Sequence, residues 1–248
     1  MQERREAVSP DRLSMIRFAL DNSGGNEYNA EKILSVAHEV VGLSGVNILL
    51  RCSRTLFTII RPTNELGNKL LELEITSGEG PATTACTSES LVDAPDLSSP
   101  EESRWKLYVP LAKSAGVEAV FSFPILDGRT SFGALSFYRE TSGPLTSSQV
   151  DDGYLLASIV SDAVLALQPG ANMEGFGESL ESKIGFDSTV HQATGVVANQ
   201  ASMNVADAFV VLKFHAFATD STITEVASKF VAGQIYFDPG RYCICETS

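Results

Sequence analysis

The sequence predicts an α+β domain, a mostly antiparallel sheet with flanking helices, followed by a small all-α unit of three helices. Three observations carry this reading. Apolar residues recur at helical spacing, then in strand-like runs, then at helical spacing again between residues 10 and 168. The stretch 168–181, QPGANMEGFGESLE, breaks all periodicity with its proline, glycines and acids. Beyond it come three amphipathic segments with capping residues and no strand pattern. The expected boundaries are 10–168 for the first domain, 169–183 for a linker, 184–238 for the helical unit and 239–248 for a flexible tail.

Taken in order, residues 11–21 place Leu13, Ile16 and Leu20 on one helical face. A second helix spans about 29–41, with Ile33, Val36, Ala37 and Val40 on its apolar side, Asn29 as N-cap and Gly42 as stop. Residues 46–50 and 56–60 read as strands joined by a polar turn at Ser53. The alternation LLELEI over 70–75 reads as a third strand, ended by the turn Gly78-Glu79-Gly80-Pro81. A short strand at Leu91-Val92 and a helix over 104–114 follow. Residues 117–126 and 131–139 form a hairpin about Asp127-Gly128. Thr146-Ser147-Ser148-Gln149 is a capping box opening a long helix to about 168.

In the second unit, Val190, Ala193 and Val197 mark one helix. Asn204 caps another that carries Val205, Ala208, Phe209, Leu212 and Ala216. Thr222 to Glu225 is a capping box for a third, with Ile223, Val226, Ala227, Phe230 and Val231 inward. Three helices this short bury little by themselves, so the unit is expected to lean on the first domain or on a second copy.

Composition sets the class. With 44% hydrophobic and 20% charged residues among 248, the chain suits a soluble globular protein of one medium and one small domain. No apolar run approaches the roughly 18 residues that span a bilayer, and the N-terminus lacks an apolar signal core. The expected location is the cytoplasm, with no membrane contact. Cys52, Cys86, Cys243 and Cys245 do not form a disulfide framework. Cys243-Ile244-Cys245 has no second Cys or His pair to complete a tetrahedral metal site, and reads as part of the tail. The net charge is −13, and residues 171–248 hold four basic side chains (Lys183, Lys213, Lys229, Arg241) against nine acids.

The strings Val190-His191-Gln192-Ala193-Thr194-Gly195-Val196-Val197, Val205-Ala206-Asp207-Ala208-Phe209, Leu212-Lys213-Phe214-His215-Ala216-Phe217-Ala218 and Glu225-Val226-Ala227 resemble the ANTAR domain of actinobacterial transcription antiterminators. The resemblance covers about 50 residues and implies binding to paired RNA stem-loops. It carries RNA contact onto His191, Gln192, Asn199, Lys213, His215 and Lys229, and onto Thr194, which stands where the family commonly has a basic residue.

Residues 10–168 resemble a GAF sensor domain of the kind that precedes ANTAR. The residues carrying this are Gly78-Glu79-Gly80-Pro81, Leu91-Val92-Asp93, Asp96-Leu97, Arg104-Trp105, Gly116-Val117, Phe121-Ser122-Phe123-Pro124-Ile125 and Gly133-Ala134-Leu135-Ser136. The resemblance implies a small-molecule cavity between the sheet and its covering loops, of unknown ligand, with Cys86, Trp105, Phe121 and Phe123 as candidate lining. The Asn-Lys-Phe-Asp-Glu signature of cyclic-nucleotide GAF domains is absent. Cys52 and Cys86 read as structural thiols, with redox or chromophore attachment as the alternative. His38 reads as a surface or hydrogen-bonded histidine.

No Gly-rich phosphate loop, nucleophile elbow or catalytic constellation is visible, so neither an enzyme nor a cofactor is expected. The expected function is a homodimeric, signal-responsive antiterminator that engages stem-loop RNA. The alternative is a ligand-sensing dimer whose ANTAR-like helices contact protein and have lost RNA binding.

Overall fold

The structure is a computed structural model, and it describes residues 14–16, 18, 30–51, 57–60, 64–100, 102–128, 130–165 and 187–247. Cys52 and the expected linker lie outside the described residues. So does most of the first expected helix, of which residues 14–16 and 18 are helical.

The first domain runs α1 (Ala30–Val41), β1 (Gly45–Arg51), β2 (Phe57–Ile60), α2 (Glu65–Ser77), α3 (Pro81–Ser88), β3 (Val92–Ala94), α4 (Tyr108–Ser114), β4 (Ala119–Asp127), β5 (Thr130–Arg139) and α5 (Ser147–Leu165). The strands form one antiparallel sheet in the order β2-β1-β5-β4-β3. Gly128, at φ 61, makes the tight connection between β4 and β5, as the Asp-Gly pair predicts.

Strand alternation divides the interior into two layers. Val46, Ile48, Leu50, Phe121, Phe123, Ile125, Leu135 and Phe137 pack with α1 and α5. Leu49, Val92, Ala94, Val120, Ala134 and Tyr138 face the other way, toward α2 and α3. Gly153 lets α5 lie flat on the sheet, since a Cβ there would sit 2.2 Å from the buried Phe123 ring. Thr146 and Gln149 exchange the expected capping-box hydrogen bonds, and the Gln149 amide also donates to the Val41 carbonyl at the end of α1, 2.8 Å away.

The segment 70–75 is helical, which corrects the strand expectation. Asn64 caps α2 by accepting from the Gly67 N–H at 2.8 Å, and Gly78, at φ 77, ends it by donating to the Glu74 carbonyl. Its buried residues Gly67, Leu70, Leu71, Glu74 and Ile75 recur at i, i+3, i+4, i+7 and i+8. The apparent two-residue alternation is a six-residue sample of that longer period.

The second unit holds α6 (Asp187–Ala201), α7 (Val205–Ala218), α8 (Ile223–Val231), β6 (Ile235–Asp238) and β7 (Cys243–Glu246). Asn204 caps α7, and Thr222 with Glu225 forms the capping box of α8. Val231 is 47% exposed rather than inward. The expected all-α unit with a flexible tail is corrected as well: β6 and β7 pair as an antiparallel hairpin. Ile235 and Phe237 are buried among the helices, and Gln200 of α6 accepts the Phe237 N–H at 2.9 Å. The hairpin closes the core that three short helices leave open.

The unit does not stand apart. α7 and α8 pack on α2, and one continuous buried cluster joins Leu70, Ile75 and Ala85 to Phe209, Leu212 and Phe230. The Thr224 hydroxyl donates to Glu72 across this contact at 2.9 Å. Among the described residues, no helix is long and apolar enough to cross a membrane.

Candidate functional site

The sheet face beneath α2 and α3 carries a polar row. Asn47 of β1, Ser136 of β5 and Ser122 of β4 stand opposite one another across three strands, followed by Val92 of β3. All three polar side chains are buried, and the two serine hydroxyls lie 2.6 Å apart. The Asn47 Oδ1 has no hydrogen-bond partner among the described residues. A buried amide oxygen without a donor is costly, and marks where a polar ligand group or water would be welcome. α3 approaches this face closely because its inward side is Ala82, Ala85 and Cys86.

A second polar group lies where α2 meets α3. The Glu74 carboxylate accepts the Thr83 N–H at 2.5 Å and so caps the start of α3 from a neighbouring helix. Gly80 is required here: a Cβ at that position would lie 2.5 Å from the Glu74 carboxyl carbon. Burial pushes the Glu74 pKa up to about 7, against the pull of its hydrogen bonds from Thr83 and Ala82. Tyr108 is buried nearby, and desolvation, then the Glu74 and Tyr138 charges, raise its phenol well above the usual range. Tyr138 donates to Asn64. Glu79 accepts the Leu107 N–H at 2.6 Å and pins the start of α4.

Of the four pocket candidates, Cys86 and Trp105 lie on this side of the sheet. The Trp105 indole N–H donates to Thr84 at 2.8 Å, and the Arg104 guanidinium stacks 4.3 Å from its ring. Phe121 and Phe123 do not join them, which corrects the expectation: strand parity turns both into the α1–α5 layer, where Phe123 meets Phe137 and Tyr154 edge to face. Sequence reasoning named none of Asn47, Ser122, Ser136 and Glu74 as pocket lining. The sequence marked Asn47 only as a lone amide within an apolar strand.

The seven expected RNA-contact residues do not form one surface, although His215 of α7 lies close enough to Lys229 of α8 to feel its charge. His191, Gln192 and Asn199 are exposed on α6. Thr194 is fully buried, with its hydroxyl bonded to the Val190 carbonyl at 2.6 Å, so it cannot touch a nucleic acid and that expectation is corrected. Lys213 and His215 are two residues apart on α7, hence about 200° around the helix. Lys213 turns toward the first domain, 5.9 Å from the Phe209 ring centroid, and a Cβ on Gly78 would come within 2.6 Å of its Nζ. Desolvation lowers its pKa. His215 is held below its ordinary value by burial and then by the Lys229 charge, both of which disfavour its charged form. Lys229 is exposed on α8. Among the described residues, no group of three or more metal-ligating side chains is assembled.

No family model matches the chain, and no curated protein matches it. Among solved structures, it is similar to the GAF domain of a phosphoenolpyruvate-protein phosphotransferase from Coxiella burnetii, at 13% identity over 62% of this chain and 91% of that one, with a TM-score of 0.49. It is also similar to the GAF domain region of a membrane protein from Geobacter sulfurreducens, at 15% identity over 63% and 99% of the two chains, TM-score 0.47. A domain of a two-component sensor histidine kinase protein from Sinorhizobium meliloti is similar at 12% identity over 56% and 90%, TM-score 0.47. Likenesses of this strength assign neither family nor function to the chain.

Proposed function

We propose that the chain is a signal-responsive regulator, in which the α+β domain senses a small molecule and the C-terminal unit, seated on α2, is its output. The output we infer is antitermination by binding stem-loop RNA, with the seated arrangement as the inactive state. The observation that carries this is the position of α2. One side of the helix, through Leu70, Leu71 and Glu74, belongs to the buried interior beside the polar face of the sheet. The same helix holds the output unit through the Glu72–Thr224 hydrogen bond, and its C-cap Gly78 leaves the space that Lys213 occupies. A ligand that moves α2 therefore changes how the unit is held, and unseating it returns Lys213 to solvent.

The test is fluorescence anisotropy of the full chain against a tandem stem-loop RNA, with wild type compared to a Glu72→Ala, Thr224→Ala variant. The variant is expected to bind about tenfold more tightly at low salt, with log affinity falling linearly against log salt. If neither protein shows salt-sensitive binding, RNA is not the output.

A second reading is favoured by the outer side of α7. Val210, Phe214 and Phe217 recur at i, i+4 and i+7 and are 55%, 73% and 46% exposed. Residues 187–247 carry three basic side chains (Lys213, Lys229, Arg241) against six acidic ones, a balance poorly suited to phosphate. In this reading the unit pairs with a second copy of the chain through α7. A Phe214→Glu variant that sediments as a monomer where wild type is a dimer supports it.

A further inference from the structure

The hairpin at the end of the chain carries two thiols on one face. β6 and β7 pair with Asp238 opposite Cys243, Phe237 opposite Ile244 and Tyr236 opposite Cys245. Alternation turns Phe237 inward, where it is 1% exposed, with the partly buried Ile244 beside it. The same alternation turns Cys243 and Cys245 outward with Tyr236, which is 41% exposed. Both cysteines are free and half-buried, and their Sγ atoms lie 3.4 Å apart. The inner face is fastened by the Phe237 N–H to Gln200, and the open end by Thr247, whose N–H and hydroxyl donate to the Gln234 and Gly233 carbonyls at 2.8 Å each.

We propose that Cys243 and Cys245 form a reversible dithiol–disulfide site that exchanges with small-molecule disulfides. The step balances without a metal. One cysteine, deprotonated, attacks a sulfur of glutathione disulfide, giving a mixed disulfide and one glutathione thiolate. The neighbouring cysteine, already in contact, then attacks the protein-side sulfur of that bond and releases the second glutathione. The two cysteine protons pass to the two glutathione sulfurs, and two electrons move from the protein to the small disulfide. Soft-metal chelation is the weaker use of the pair, because two sulfurs fill half of a tetrahedral site and no third ligand joins them among the described residues.

The backbone makes this linkage a switch rather than a staple. Two residues of extended strand separate the Cα atoms by about 6.7 Å. That is the upper end of the roughly 4.4–6.8 Å that a disulfide spans. Closing the bond puckers β7 at Ile244, opposite the buried Phe237, and loosens its pairing with β6. A disulfide formed against its strand is readily reduced, and its formation is felt in the helical core through Phe237. Cys86 cannot substitute, being 1% exposed on α3.

The experiment uses the full chain and glutathione disulfide as the probe, followed by acid quenching, alkylation and tryptic mapping. Cleavage after Arg241 yields 242–248, YCICETS, which contains both cysteines and no others. The wild type is expected to give this peptide two hydrogens lighter, unalkylated and without glutathione, in roughly tenfold or greater excess over the glutathione adduct. Dithiothreitol restores the doubly alkylated form. In Cys245→Ser the ratio inverts, and one glutathione accumulates on Cys243. A doubly alkylated wild-type peptide under excess glutathione disulfide overturns the proposal, as does wild-type accumulation of the glutathione adduct.

Discussion

Replacing the Glu74 carboxyl by the neutral amide in Glu74→Gln isolates one buried proton and its cost. Burial raises the folded-state pKa of Glu74 from 4.5 to about 7. Between those values the folded protein keeps the proton while the unfolded chain has lost it. The folded state then binds more protons, so stability falls as pH rises through this window and is level above it. At 1.36 kcal/mol per pH unit, a shift from 4.5 to about 7 corresponds to about 3 kcal/mol. The amide cannot ionise, but its oxygen still accepts the Thr83 N–H. The two proteins should therefore be about equally stable near pH 4.5, and Glu74→Gln should be the more stable by about 3 kcal/mol at pH 8. Every other titrating group cancels in the comparison. Urea unfolding followed through Trp105, the sole tryptophan and a buried one, gives both curves. Parallel stability profiles, within about 0.5 kcal/mol from pH 4.5 to 8, would refute the assignment of a buried, proton-holding carboxyl.

Three further outcomes follow from packing. Gly153→Ala should cost about 1–3 kcal/mol in urea unfolding, because its methyl meets a Phe123 ring with no room to retreat. Thr194→Arg should lower stability by about 3 kcal/mol or more without improving affinity for stem-loop RNA, since position 194 is fully buried. Gly78→Ala, at φ 77 and against Lys213, should destabilise by about 1 kcal/mol or more, and should increase trypsin cleavage after Lys213 if the seat on α2 is its shield.

The sheet was legible because its strands are short apolar runs separated by Asp-Gly and polar turns, and the helix caps because Asn204, Thr222 and Glu225 carry their chemistry locally. α2 was not, because LLELEI satisfies two periods at once. The flanking Asn64 and Gly78, with the thirteen residues of the helix between them, were the signals that separate the two periods. Once the helix is recognised, Leu70 and Leu71 place Glu74 inside and Glu72 outside, so the buried acid was readable one step later. The facing of Phe121 and Phe123 depended on register alone, and a one-residue shift in parity moves both rings across the sheet. The C-terminal hairpin escaped because Ile235-Tyr236-Phe237 and Cys243-Ile244-Cys245 are too short to show a period. Only the incompleteness of a three-helix core hinted at more. The scatter of Lys213 and His215 around α7 followed from the 100° helical step, but which side met the first domain required the packing of α7 on α2.

The seat on α2 also has a history within each molecule's synthesis. β1 pairs with β5, so the sheet cannot close until residue 139 has left the ribosome, and α2 is then finished on its inner side only. Its outer side waits for residues 187–231 to emerge, roughly 5–18 s later at about 5–20 residues per second. During that interval the nascent first domain exposes the side of α2 that the mature protein buries. A chain truncated before α6 would stay in that condition permanently.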